Sequence, residues 1–521
     1  MNLSKALRNL QRASLSSLTS LCFLLCCLMV LLASFGSAQE LQEQVTSVTL
    51  ENGLRVIMVA QDSAPVIYFN LMFDVGGIDE PDGLGGLAHM VEHMAFKGTQ
   101  TIGDEDLARE LEVLEDIEVL VAAIDQAESA GFAEAEIAKL EDDLTALRAE
   151  AETLASPNAL DSLFDANGAV GLNASTGYDF TSYVVALPSN RLELYARVYA
   201  DILLEPVFRS FYEERDVVME ERRQRSEDDP RGVLVEAFLD TAFEAHPYGR
   251  SLIGSAAEIE DYRATEAEAF FELYYHPNRA VLVMVGDVDP DRDLEIIEQY
   301  FGTVPAGPDF RRDLPVEPTQ TEELRVDVPF DAEPQLYIGY HKPTYPDREA
   351  YVLDVISGVL SSGRTSRLYR RMVLEDQIAV SAGAGSSFPG SREANLFVLV
   401  GNPRFPATPS DLETAFYEEL ERLKTEPVSE RELTKVKNQV RAGFIRGLAS
   451  GSGLASQLAF YELFLGGWDN LEGYAETIES ITPEEIMAVA SEIFVPTNRT
   501  VGTLITTSPD EESSTEEGAG Q

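Results

Sequence analysis

The 521-residue chain predicts an α+β protein built as two structurally related halves. Strand-like and helix-like segments are interspersed along the whole chain, and 45% hydrophobic with 25% charged residues is ordinary for a globular protein with a large core. A helix–turn–strand unit also recurs. Thr265-Glu266-Ala267-Glu268 opens a helix, followed by His276-Pro277-Asn278-Arg279 and the apolar strand Ala280–Val285. Thr482-Pro483-Glu484-Glu485, then Val495-Pro496-Thr497-Asn498-Arg499 and the strand Thr500–Ile505, repeat that order. The halves are placed at 39–305 and 322–507, joined by a Pro-containing linker at 306–321.

Each element has a local reason. Residues 1–38 read as a signal peptide: Lys5, Arg8 and Arg12 precede an apolar run from Leu18 to Ala33, and Gly36-Ser37-Ala38 resembles a cleavage site. The protein is therefore expected to be exported, either periplasmic or secreted, with membrane anchoring the rival. All three cysteines (Cys22, Cys26, Cys27) fall in this segment, so the remainder is built without disulfides. Val45–Leu50 and Leu54–Val59 flank Asn52-Gly53, a hairpin turn signal. Val66–Val75 reads as a strand and Gly76–Gly86 as a loop, with a helix from Leu87. The Ala/Glu/Leu-rich stretch 104–154, broken at Ser129-Ala130-Gly131, reads as an inserted helical hairpin. Gly171–Leu187 reads as strand, and helices are expected over Arg191–Leu204 and Phe211–Arg223. The Ser/Glu/Gly-rich 508–521 should be a disordered acidic tail.

Ninety acidic against 39 basic residues give a formal charge of −51. Such a surface repels phosphate backbones, which argues against nucleic-acid binding.

The chemistry concentrates in His89-Met90-Val91-Glu92-His93. On a helix His89 and His93 lie one turn apart on one face, while Leu87, Met90, Val91 and Met94 form the apolar face. Two such imidazoles can close on one Zn²⁺, and Glu92 can reach a water on it. A catalytic zinc needs a third protein ligand. His246 and His276 precede prolines and His341 ends a strand, so a carboxylate is the better candidate. Glu214 and Glu221, seven residues apart on one helix, are both open choices.

Residues 85–99 resemble the signature of the pitrilysin/insulinase family of zinc peptidases, in particular the branch with the mitochondrial processing peptidases. The likeness continues at Asn173-Ala174-Ser175-Thr176, Glu214–Glu221, His246-Pro247-Tyr248-Gly249, His276–Asp287 and Ser366-Arg367-Leu368-Tyr369. This resemblance implies one zinc per chain held by His89, His93 and Glu221, with Glu92 as catalytic base and Glu214 supporting the site. It implies that Asn173 and Ala174 lie on an edge strand to which a peptide adds. It further implies a clamshell of two halves around a peptide-binding chamber. The spacing from His93 to Glu221 is longer than the family's, and the 104–154 insertion accounts for the excess. The family's substrate-binding Arg and Tyr fall on Val373 and Val380, neither of which donates a hydrogen bond. The expected function is thus an endopeptidase acting on peptides or unfolded polypeptides. A homologous partner subunit would supply the missing pair, a homodimer being the rival assembly. The alternative function is a non-catalytic peptide-binding or scaffolding subunit.

Overall fold

The computed structural model describes residues 44–507 except 62–63, 104–105, 157 and 309–310. The signal segment, its cysteines and the acidic tail lie outside the described residues. Among the described residues no helix is long and apolar enough to cross a membrane.

Among the described residues eleven strands form two sheets. The first holds β1 (Val45–Thr49), β2 (Arg55–Ala60), β3 (Val66–Phe73), β4 (Val170–Thr176), β5 (Thr181–Pro188) and β6 (Ala280–Gly286), in the order β1-β2-β6-β3-β5-β4. The second holds β7 (Leu324–Phe330), β8 (Gln335–Lys342), β9 (Ala379–Phe388), β10 (Asn395–Pro403) and β11 (Arg499–Thr506), in the order β7-β11-β8-β10-β9. Apart from β1 the two orders correspond strand for strand. In each sheet one pair alone is parallel, β2 with β6 and β7 with β11. The recurrent Asn-Arg units therefore feed equivalent strands, β6 and β11. Their apolar runs suit central positions: every residue of β6 is buried.

The strand-like stretch Gly171–Leu187 divides into two antiparallel strands, β4 and β5. The physical reason is the turn Gly177–Phe180, where Gly177 bonds across to Phe180 and Asp179 is drawn out by Tyr248, Ser391 and Arg392. This turn leaves β4 at the sheet edge.

The metal-motif residues lie on helix α1 (Leu87–Met94). The acidic stretch forms α2 (Leu107–Ser129) and α3 (Glu134–Leu154), a helical hairpin as expected. Buried Arg209 ties it to the body, bonding both oxygens of equally buried Glu110 at 2.7 and 2.9 Å. Helix α4 (Phe211–Arg222) follows, then α5 (Pro230–Ala242); α6 (Gly451–Phe464) lies in the second half.

Helices α5 and α6 interlock the halves. Leu234, Phe238 and Leu239 of α5 pack on Val328, Leu396, Val398 and Leu504 of the second sheet. Leu454, Ala455, Leu458 and Ala459 of α6 pack on Ile57, Met72, Val281 and Val283 of the first. Close fit depends on glycines. A Cβ at Gly339 would come within 2.7 Å of the Phe238 ring, and one at Gly451 within 2.2 Å of Tyr68. Each half thus lends a helix to cover the other's sheet.

Leu458 is fully buried in this exchange. Leu458→Ala should cost about 2–5 kcal/mol. Because each half covers the other, urea unfolding followed by tryptophan fluorescence and by circular dichroism should still give one coincident transition. Two separated transitions would show that the halves are independent.

Candidate metal centre

Helix α1 begins at Gly86, whose φ of 88° is left-handed and whose added Cβ would sit 2.1 Å from Ile253 O. Its free amides are taken by a buried carboxylate: Glu80 accepts from Gly86 N at 2.8 Å and Ala88 N at 2.9 Å. Burial pushes the Glu80 carboxyl up to about 8, against the pull of those amides. Glu258 accepts from Gly85 N at 3.0 Å. Leu87, Met90, Val91 and Met94 are all fully buried, so the opposite face of the helix must present His89, Glu92 and His93.

Helix α4 faces that side, anchored by buried Phe211, Tyr212 and Val218. His89 Nε2 and His93 Nε2 face each other at 3.3 Å. Each lies 3.7 Å from a Glu221 oxygen, His89 from Oε1 and His93 from Oε2. Among the described residues this is the one His/Cys/Asp/Glu cluster placed to hold a metal, with ligand atoms within 4.8 Å of one another. Tetrahedral Zn–N bonds of about 2.0–2.1 Å would separate two imidazole nitrogens by about 3.3 Å. The donor set therefore fits zinc.

Further contacts orient these side chains. His93 donates Nδ1–H to Glu214 Oε1 at 2.8 Å, which leaves its Nε2 lone pair facing the cluster. Glu214 also pairs with Lys97. Burial opposes its ionisation, but the bonds from His93 and Lys97 outweigh this and hold its carboxyl below the usual range. His89 is kept neutral: burial first, then the charges of His93 and Arg225, lower its pKa to about 3. Its buried Nδ1 has no hydrogen-bond partner among the described residues. Burial raises the Glu92 carboxyl, while a hydrogen bond from Thr176 on β4 opposes the shift.

Asn173 and Ala174 lie on β4, opposite Val184 and Tyr183 of β5. The other side of β4 carries no strand among the described residues. Asn173 is exposed and Ala174 half-buried. Val373 is buried in the second half's core, and Val380 is 62% exposed on the edge strand β9. The remaining histidines stay apart from the cluster. His246 caps a short turn, while His276 and His341 bond backbone carbonyls.

Sequence reasoning missed Glu80, Glu258, Lys97 and Arg225. An acidic residue shortly before a Gly-Gly helix start signals the first. The position four residues after a ligand on the same helix signals Arg225.

Fold and site together define a two-lobed α+β protein with a His-His-Glu cluster placed to hold a metal on paired helices. The sequence profile described as "Insulinase (Peptidase family M16)" matches residues 55–115 and 149–256, and that described as "Peptidase M16 inactive domain" matches 262–440. The chain belongs to the pitrilysin/insulinase family. It is similar to the zinc protease PqqE of Helicobacter pylori, with 28% identity covering 90% of this chain and 96% of that one. An uncharacterized zinc protease of Mycobacterium tuberculosis is 26% identical, over 85% of this chain and 89% of its own length. The crystal structure of a protease from Helicobacter pylori superposes with a TM-score of 0.73 at 25% identity, covering 88% of this chain and 99% of that one. The periplasmic protease PqqL of Escherichia coli shares the fold, with a TM-score of 0.66 at 18% identity over 92% of this chain and 50% of that one.

Because the folded pKa of His89 lies below its unfolded value of about 6.5, protons favour the unfolded state. In chelator-treated protein stability should fall as pH drops from 6.5 towards 5, by at most about 1.4 kcal/mol per pH unit from this group. Urea melts at pH 5 and 7 check this. The His89→Ala variant should lose that part of the fall, and an unchanged pH slope would contradict it.

Proposed function

We propose that the chain is an exported zinc endopeptidase that hydrolyses peptides or unfolded polypeptides. The observation carrying this reading is the convergence of His89, His93 and Glu221 beside Glu92. Zinc held by these three residues would supply Lewis acidity, making a water acidic near neutral pH. Glu92 takes the proton from the attacking water and returns it to the leaving amine. A carboxyl raised by burial suits a group that must both accept and give up a proton. Glu214 holds the His93 ring in orientation through Nδ1. The exposed edge of β4 at Asn173 and Ala174 can accept a peptide in backbone register, which draws an extended chain past Glu92. The apolar signal-like segment supports export.

Val373 and Val380 place no donor at the two positions where the family resemblance puts its Arg/Tyr pair. A homologous second chain would supply an Arg/Tyr pair across a shared chamber. The same two valines favour one other reading, a non-catalytic peptide-binding or scaffolding subunit. The complete ligand set argues for catalysis, since scaffolding does not require it.

Glu92→Gln should keep one zinc per chain with unchanged affinity while cleavage of a quenched peptide falls by at least about 10²-fold. Assay with and without a co-purified homologous chain separates the readings. Zinc-loaded parent protein inactive in both settings would leave only the scaffolding role.

A further inference from the structure

Beyond Glu221, helix α4 loosens into a π-helical turn over Arg223–Glu227. Such turns recur at functional sites because they re-aim side chains. Arg225 lies on it, and its Nη1 is 2.6 Å from Glu221 Oε1, the oxygen that also lies 3.7 Å from His89 Nε2. The Arg225 side chain is 74% exposed and that of Glu221 19%. The guanidinium therefore reaches the ligand cluster from solvent, the side from which a substrate must arrive.

Neighbouring cations are engaged elsewhere. Lys97 pairs with Glu214. Arg222 is held by Glu227, Glu236 and Gly254 O, and Arg223 by Glu220. Among the described residues the one ion pair of Arg225 is with Glu221. A pair whose arginine is this exposed holds only weakly. Its guanidinium is therefore readily given up when Glu221 turns its oxygens to a metal, and it is left one side-chain oxygen away from the reacting groups.

Resting on the peptidase reading, we propose that Arg225 is a catalytic residue that donates hydrogen bonds to the scissile carbonyl oxygen as that oxygen gains negative charge. The metal-site chain thereby supplies from its own third-ligand helix part of what Val373 and Val380 cannot. In the step it serves, the water oxygen bonds to the carbonyl carbon and the C=O π pair moves onto the carbonyl oxygen. The water proton passes to Glu92. The oxygen pair then re-forms the C=O bond, the C–N pair leaves on nitrogen, and Glu92 delivers the proton to that nitrogen, giving a carboxylic acid and an amine. Arg225 keeps its protons throughout and stabilises charge only. The same guanidinium competes with a metal cation for Glu221, so its removal should tighten metal binding even as it slows turnover. A merely structural ion pair would not produce that opposition.

The test uses the full chain, with any co-purified partner, as parent, Arg225→Ala and Arg225→Lys. Zinc affinity is measured by chelator competition, cleavage with a quenched peptide, and transition-state complementarity with a phosphinic peptide. Arg225→Ala should bind zinc about two- to fivefold more tightly. Its kcat/KM should fall about 10²-fold, with phosphinic-peptide affinity falling in parallel. Affinity for intact peptide, measured in the Glu92→Gln background, should be nearly unchanged. Arg225→Lys keeps the charge without the planar fork and should lose less activity than Arg225→Ala. Because the side chain is exposed, matching melting curves are expected for all three proteins. Active parent with equally active Arg225→Ala overturns this assignment alone, as does an activity loss that tracks zinc loss. Zinc-loaded parent without cleavage overturns the peptidase reading and this assignment with it.

Discussion

The candidate metal centre depends on one constraint: two helices far apart in sequence must be held so that three side-chain atoms share a centre. Helix α1 supplies two of them at fixed helical spacing, and their geometry follows from the helix itself. The third comes from α4, and nothing local fixes its distance. Buried apolar residues fix it from both sides, Leu87, Met90, Val91 and Met94 beneath α1 and Phe211, Tyr212 and Val218 beneath α4. The hydrogen bond from His93 to Glu214 then bridges the two helices directly. A shift of about an ångström would break that bond and separate the three side chains together.

The wider fold serves the same constraint. Glu80 and Glu258 pin the start of α1, and the inserted hairpin braces α4. Arg148 of α3 bonds Glu213 at 2.6 Å, and Tyr212 bonds Glu118 of α2 at 2.6 Å. Burying the Arg209–Glu110 pair fully is tolerable because both carboxylate oxygens and three backbone carbonyls satisfy the guanidinium. An acidic hairpin in an acidic protein would otherwise drift from its neighbours. These paired arginines hold it down. Farther out, the exchange of α5 and α6 gives each sheet a cover made by the other half, so the lobes cannot move as free bodies without exposing two apolar faces.

Local chemistry was legible in the sequence and long-range placement was not. The His-x-x-Glu-His helix reads directly because spacing of three and four residues is geometry. The two-half architecture reads from the Asn278-Arg279 and Asn498-Arg499 units, which prove to feed β6 and β11. The choice between Glu214 and Glu221 does not read from spacing, because both share a face of α4. Distance separates them: Glu221 reaches both ring nitrogens while Glu214 reaches the far side of His93. The strand-like stretch 171–187 does not show where it turns, because Gly177–Phe180 is set by the bonds of Asp179 to Tyr248 and, in the other half, to Ser391 and Arg392. The helix exchange left no trace, since an apolar helix face does not say which sheet it covers.

The most direct measurement of the central claim is zinc K-edge X-ray absorption on the purified protein with its metal content. The account predicts one zinc per chain, with two imidazole nitrogens and one carboxylate oxygen at about 2.0–2.2 Å, and loss of the oxygen contribution in Glu221→Ala. A spectrum without imidazole scattering, or one that Glu221→Ala leaves unchanged, would contradict it.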